Sequence, residues 1–186
     1  MIQLILGSSS PRRKELLNAL GYSFDIIKPD VEETYPVELS MRNVPLFIAE
    51  KKFYSLKESL LENQVLICAD TVVVFENKIL GKPTNNLEAL DMLMNLSGNW
   101  HEVITGVVIG SLDKSYTFDV LSKVKFSNFT TFDAQKYINE CNPLDKAGSY
   151  GIQEWIGYAF IECLEGSYTN IVGLPTHEVY QKLKLF

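Results

Sequence analysis

Val65-Leu-Ile-Cys-Ala-Asp-Thr-Val-Val-Val-Phe75 is a long apolar, β-branched run, and it reads as a strand. A turn around Glu76-Asn77 and a short return strand, Lys78 to Leu80, follow it. Upstream, Ile2 to Leu6 reads as a buried strand ending at Gly7. Ser10 then suits an N-cap and Pro11 a first helical residue, and Leu16, Leu17 and Leu20 form an apolar stripe stopped by Gly21. Ser23 to Lys28 has the look of a second strand, and Val44, Phe47, Ile48 and Leu56 carry helical spacing through a segment ending near Leu60. Downstream, Asn85 with Glu88 resembles a capping box opening a helix that ends before Ser97-Gly98. His101 to Ser111 and Ser115 to Val124 read as a strand pair, Asp133 to Cys141 as a helix, Tyr158 to Leu164 as a strand, and Pro175 as the start of a last helix. Gly166 to Pro175 reads as a connection. Helices mixed with hairpins predict an α/β fold with a mixed β-sheet and flanking helices.

The totals restrict the function. A chain of 186 residues, 46% hydrophobic and 22% charged, fits one globular domain, residues 1–186, or one core with two lobes. No apolar run approaches the roughly 18 residues a membrane span needs, and the N-terminus lacks the pattern of a signal peptide, so a cytoplasmic protein is expected. Cys68, Cys141 and Cys163 form no C-x-x-C pair and indicate neither a disulfide framework nor a zinc knuckle. A net charge of −6 argues against binding a nucleic-acid polymer. A small polyanion remains open to it if the few cations converge.

Four segments carry chemistry. Gly7-Ser-Ser-Ser-Pro-Arg-Arg13 puts hydroxyl residues in a strand-to-helix turn with two guanidinium groups behind, a setting that favours an anion; a capped helix with solvated arginines is the alternative. Asp70 stands among ten apolar or β-branched neighbours, where a carboxylate must be paired, bound to a metal or set at a cleft. Strict alternation sends Asp70 and Thr71 to opposite faces of the strand, so if both serve one site the strand must bulge or end there. Leu80-Gly-Lys-Pro83 fails as a P-loop, since Glu76 stands where the first glycine belongs and Pro83 where Ser or Thr should, but it leaves Lys82 just past a strand. Pro143 to Gln153, with two glycines, a lysine and Tyr150, is a shaped loop of the kind that carries binding residues. His101 and His177 lie too far apart in sequence for a histidine metal cluster, so any metal must rest on carboxylates and substrate phosphates, which favours magnesium or manganese.

These segments occur in an order that resembles the Maf family of nucleotide pyrophosphatases, over nearly the whole chain. The likeness includes Ser8-x-Ser10-Pro-Arg-Arg-x-Glu-Leu-Leu17, Ala69-Asp-Thr-Val-Val73, Leu80-Gly-Lys-Pro83, Leu96-Ser-Gly98 with His101 and Thr105-Gly106, Asp145-Lys-Ala-Gly148, Tyr150-Gly-Ile-Gln153 and Gly173-Leu-Pro175. The resemblance implies an elongated mixed sheet with a central cleft, similar to inosine triphosphate pyrophosphatases, and a homodimer. It implies hydrolysis of the α–β phosphoanhydride bond of nucleoside triphosphates, with Asp70 as proton acceptor. Arg12, Thr71 and Gln153 match the residues that set base choice and resemble the branch acting on dTTP and UTP. Ser8, Ser10, Arg13, Lys52 and Lys82 are the expected phosphate contacts. Asp70 and Glu33 are the candidate contacts for the divalent cation, with a solvated acidic loop as the alternative for Glu33. Two departures are visible: Cys68 replaces a usual small residue, and Phe53 after Lys52 replaces a usual alanine, which leaves open whether Lys52 or Lys51 is the site lysine. A phosphomonoesterase, and a nucleotide-binding regulator of cell division without turnover, are the rival readings; Val72 denies the first its D-x-D signature.

Overall fold

The computed structural model describes residues 2–186. Seven strands form one mixed sheet in the order β2-β1-β3-β5-β6-β7, with β4 also paired to β3. The α/β class with a mixed sheet is therefore the observed one. The described residues divide into two compact units: residues 2–71, 105–120 and 173–186 make the first, and residues 72–104 and 121–172 the second.

In the first unit, β1 (Gln3–Leu6) pairs in parallel with β2 (Phe24–Ile26) on one side and with the start of β3 (Gln64–Phe75) on the other. Each connection is a crossover through a helix, α1 (Pro11–Ala19) from β1 to β2 and α2 (Val44–Lys57) from β2 to β3. Because one right-handed crossover runs from β1 to β2 and the other returns past β1 to β3, they place their helices on opposite faces. Packing agrees: Leu17 of α1 joins Leu4, Leu6, Ile67 and Ala69, whereas Ala49 and Phe53 of α2 join Ile5, Leu66 and Cys68. The C-terminal end of β1 is thus a topological switch point, the place where open α/β sheets leave room for a ligand. The closing helix α7 (Thr176–Leu183) adds Val179 to the α1 face.

α2 lies close to the first-unit part of β5 (Trp100–Gly110) because that part is bare at two points. A Cβ on Gly106 would collide with the backbone of Pro45 and Leu46, and one on Gly110 with the Phe53 ring.

The second unit buries Leu93 and Leu96 of α3 (Asn86–Leu96) and Ala134, Tyr137 and Ile138 of α4 (Thr131–Cys141) against Val103, Val124, Phe126 and Tyr150. Asn85 caps α3 through the Leu87 and Glu88 amides, but the Glu88 carboxylate turns to Thr84, so the capping box is only half made. The complete box is at α4, between Thr130 and Asp133.

Three expectations fail. Ser10 precedes α1 but its side chain makes no cap bond. The strand expected at Tyr158 is instead α5 (Trp155–Phe160), followed by β7 (Ile161–Glu165). Buried Gly157, where a Cβ would strike the Ile152 backbone, lets a tight helical turn form that apolar content alone cannot distinguish from strand. The supposed connection before Pro175 contains a helix, α6 (Tyr168–Val172).

His101 is buried in the second unit beside Phe126, with Nε2 2.7 Å from the Tyr150 hydroxyl. Burial holds its pKa down at about 3. The unfolded chain binds that proton near the ordinary value of about 6.5, so His101 withdraws stability as pH falls from about 6.5 toward 3. Its share at pH 5 is about 2 kcal/mol. Urea midpoints measured at pH 7 and pH 5 should show a drop in wild type that His101→Gln reduces; equal drops in the two proteins would refute the assignment.

Candidate active site

The β1–β3 register runs out at Leu6 opposite Ile67, so Asp70 and Thr71 lie on β3 past the last partner of β1. The strand neither ends at Asp70 nor needs to: it continues to Phe75. Side-chain alternation then divides the labour. Asp70 continues the Leu66 and Cys68 face toward α2, and Thr71 continues the Ile67 and Ala69 face toward α1.

On the α2 side, Lys52 Nζ donates to Asp70 Oδ1 at 2.6 Å, and both residues are buried. Glu33 Oε1 lies 2.6 Å from the same nitrogen. One ammonium thus holds two carboxylates. Charges taken so far from water are tolerable only when paired and hydrogen-bonded.

On the α1 side, the buried Arg13 guanidinium donates from Nε to the Gly173 carbonyl (2.9 Å), from Nη1 to Ser8 Oγ (3.2 Å) and from Nη2 to Thr71 Oγ1 (3.1 Å). Thr71 Oγ1 is also 2.9 Å from Thr105 Oγ1. Gly173 holds a left-handed backbone, φ 124°, which turns its carbonyl to Arg13 without side-chain strain. Burial pulls Arg13 below its usual pKa, and the Asp70 charge opposes that shift. Ser8 Oγ also accepts from the Ser10 amide at 3.2 Å, so the loop before α1 is shaped by Ser8 and Arg13, and not by a Ser10 cap. Cys68 sits against Gly7, whose missing Cβ leaves room for its sulfur; burial pushes this thiol up to about 12, so it is a neutral filler and not a nucleophile.

Of the site residues expected from sequence, the first unit brings together Ser8, Arg13, Glu33, Lys52, Asp70 and Thr71, with Ser10 on the adjoining turn and half-buried Arg12 in the first turn of α1. Lys82 and Gln153 belong to the second unit. Lys82 is exposed after β4 (Lys78–Leu80), next to Gly81, whose carbonyl accepts from the Gly148 amide at 3.1 Å. Gln153 is half-buried, and its side-chain oxygen Oε1 is buried without a hydrogen-bond partner among the described residues. No group of three or more His, Cys, Asp or Glu is arranged around a common metal position among the described residues. The pair Asp70 and Glu33, gathered at one cationic nitrogen, fits a magnesium-type ion that draws its remaining ligands from phosphate and water.

The structure also separates the two adjacent lysines, since Lys52 faces Asp70. Lys51 turns away and donates to the carbonyls of Glu32 (2.8 Å) and Thr34 (3.0 Å) and to Thr34 Oγ1 (3.3 Å). It grips the backbone on either side of Glu33, a function invisible in the sequence because those acceptors are main-chain atoms.

An α/β switch point bearing an anion-favouring turn and a buried carboxylate–ammonium pair is the frame of a phosphate-handling protein. The chain matches the family described as "Maf-like protein" over residues 3–186, and it belongs to that family. It is similar to proteins named "dTTP/UTP pyrophosphatase" from Porphyromonas gingivalis (45% identical, covering 99% of this chain and 94% of that one) and Bacteroides fragilis (42%, covering 98% and 95%). A solved nucleoside-triphosphatase, a dITP/XTP pyrophosphatase from Mycobacterium abscessus, is a distant likeness at 11% identity and TM-score 0.40, covering 69% of this chain and 76% of that one, too weak to bear on the fold.

Lys51→Met should leave the unfolding free energy from urea titration within about 0.5 kcal/mol of wild type, as for a substitution away from the core. It should also speed protease cleavage between residues 28 and 36 several-fold. Unchanged cleavage would show that Lys51 does not hold that loop.

Proposed function

We propose that this protein hydrolyses dTTP and UTP to the monophosphate and pyrophosphate, acting in the cytoplasm as a homodimer. The observation that carries the reading is the Asp70–Lys52–Glu33 cluster at the end of an anion-favouring turn, in a chain of this family. Splitting a phosphoanhydride needs charge neutralisation, alignment and a base more than covalent help.

Each group has a part suited to its setting. Asp70 spends one oxygen on Lys52 and keeps acceptor capacity for the proton of a water attacking the α-phosphorus. Lys52 and Lys82 bring positive charge to the triphosphate. Arg13, its guanidinium bonded to Ser8, Thr71 and Gly173, sets the phosphate turn and lends it charge. Asp70 and Glu33 would hold a divalent cation, magnesium or manganese, which supplies charge neutralisation on the phosphate oxygens when bound. Base choice falls to Gln153 with Arg12 and Thr71. Uracil and thymine present an N–H on their pairing edge, and the buried Gln153 oxygen is an acceptor in want of a donor. Cytosine offers a bare nitrogen at that position.

Asp70→Asn should cut pyrophosphate release from dTTP and UTP by at least about 10²-fold. The urea midpoint should stay near wild type, because Lys52 keeps Glu33 and the amide oxygen can still accept. Near-normal turnover would remove Asp70 from the mechanism, and orthophosphate in place of pyrophosphate from the wild type would overturn α–β cleavage in favour of a phosphatase. Chelation should stop pyrophosphate release, and added magnesium or manganese should restore it; activity that survives exhaustive chelation would contradict the assignment of Asp70 and Glu33.

A further inference from the structure

Gln153 lies between two residues fastened to the same side chain. Tyr137 of α4 is fully buried, and its phenolic oxygen accepts from the Gly151 amide at 3.0 Å. The same oxygen donates its proton to the Glu154 carboxylate. Both neighbours of the Ile152–Gln153 dipeptide are therefore tied to one point on α4. The carboxylate is fixed from its other side by buried Lys146, whose Nζ is 3.2 Å from Glu154 Oε1 and 2.8 Å from Asp145 Oδ1. Gly151 is needed for this arrangement, since a Cβ there would run into the Glu154 carboxyl group. The Glu154 amide in turn donates back to the Gly151 carbonyl at 3.0 Å, closing a turn around Gln153.

We propose that Tyr137 and Glu154 are positioning residues for base selection, holding the backbone of Gln153 so that its amide meets a base edge in one register only. This rests on the reading of Gln153 as the base-reading residue. A glutamine on a loose loop discriminates poorly, because a small backbone shift lets its amide find partners on cytosine as well as on uracil. Discrimination by an unpaired polar group requires that the group cannot move away from the mismatch. The phenol–carboxylate tie supplies that constraint from outside the binding contacts. Tyr137 touches no substrate in this scheme and acts through the loop.

The test is the ratio of kcat/KM for dTTP to that for CTP, measured with thermal midpoints for wild type, Tyr137→Phe, Glu154→Gln, Glu154→Ala and Gln153→Ala. Tyr137→Phe should lower the ratio about 10-fold, within the range that one mismatched polar pair commands. Glu154→Gln, which still accepts from the phenol, should keep most of the preference. Glu154→Ala, at a side chain already 23% exposed, should lose the preference like Tyr137→Phe and carries the test if that variant fails to fold. A purely structural tie would lower the midpoint and leave the ratio alone. A ratio within two-fold of wild type in folded Tyr137→Phe or Glu154→Ala, while Gln153→Ala abolishes the preference, overturns the proposal and leaves Gln153 as the base reader. A ratio unmoved by Gln153→Ala overturns both.

Discussion

The buried ion pair between Lys52 and Asp70 is the constraint around which the first unit is arranged. Desolvating either charge alone costs several kcal/mol, and a separation of 2.6 Å with Glu33 on the same nitrogen is what makes the pair tolerable. A lysine reaches that distance only if its helix lies close on the sheet. Gly106 and Gly110 allow this, one beneath the Pro45–Leu46 backbone and the other beneath the Phe53 ring. The acidic loop is then committed as well, since Lys51 grips Glu32 and Thr34 and leaves Glu33 facing Lys52. Two adjacent lysines, about 100° apart around the helix, thus hold the loop backbone and the Asp70 carboxylate separately.

The second face of β3 is organised by Arg13. Adjacent residues on a strand point to opposite faces, so Asp70 and Thr71 cannot be joined directly. They are brought into one site because β1 stops at Leu6 while β3 continues, and the turn that follows β1 carries Ser8 and leads into the helix of Arg13. Arg13 reaches Thr71 by hydrogen bond and Asp70 by charge. The position follows from topology: β1 is flanked by β2 and β3, and the crossover helices leading to those two strands pack on opposite faces.

In the second unit, a buried phenol joins a charged network. Tyr137, buried on α4, ties together Gly151 and Glu154, and Lys146 closes the network. Burial keeps His101 neutral near pH 7, in the aromatic packing of Phe126 and Tyr150. The glycine-bearing loop from Pro143 to Gln153 is therefore ordered by partners from other elements, and its shape is a property of the unit rather than of the loop.

The sequence by itself determined the α/β class, most strand and helix positions, and Asp70 as an anomaly: a carboxylate in an apolar strand demands a partner wherever it folds. Local chemistry was legible in the same way where it acts over one turn, as with Asn85 at the start of α3. Tertiary structure decided the rest. Periodicity could not choose between Lys51 and Lys52, because the answer depends on which side of α2 meets the sheet. It could not distinguish α5 from a strand at Tyr158, since a short apolar run satisfies either period until Gly157 packs against Ile152. Ser10 looked like a cap, yet Ser8 shapes the turn because Arg13, folded back beneath it, supplies a donor. Tyr137 carried no signal at all, for its significance lies in reaching Gly151 and Glu154, 14 and 17 residues away, which only the packing of α4 brings within a hydrogen bond.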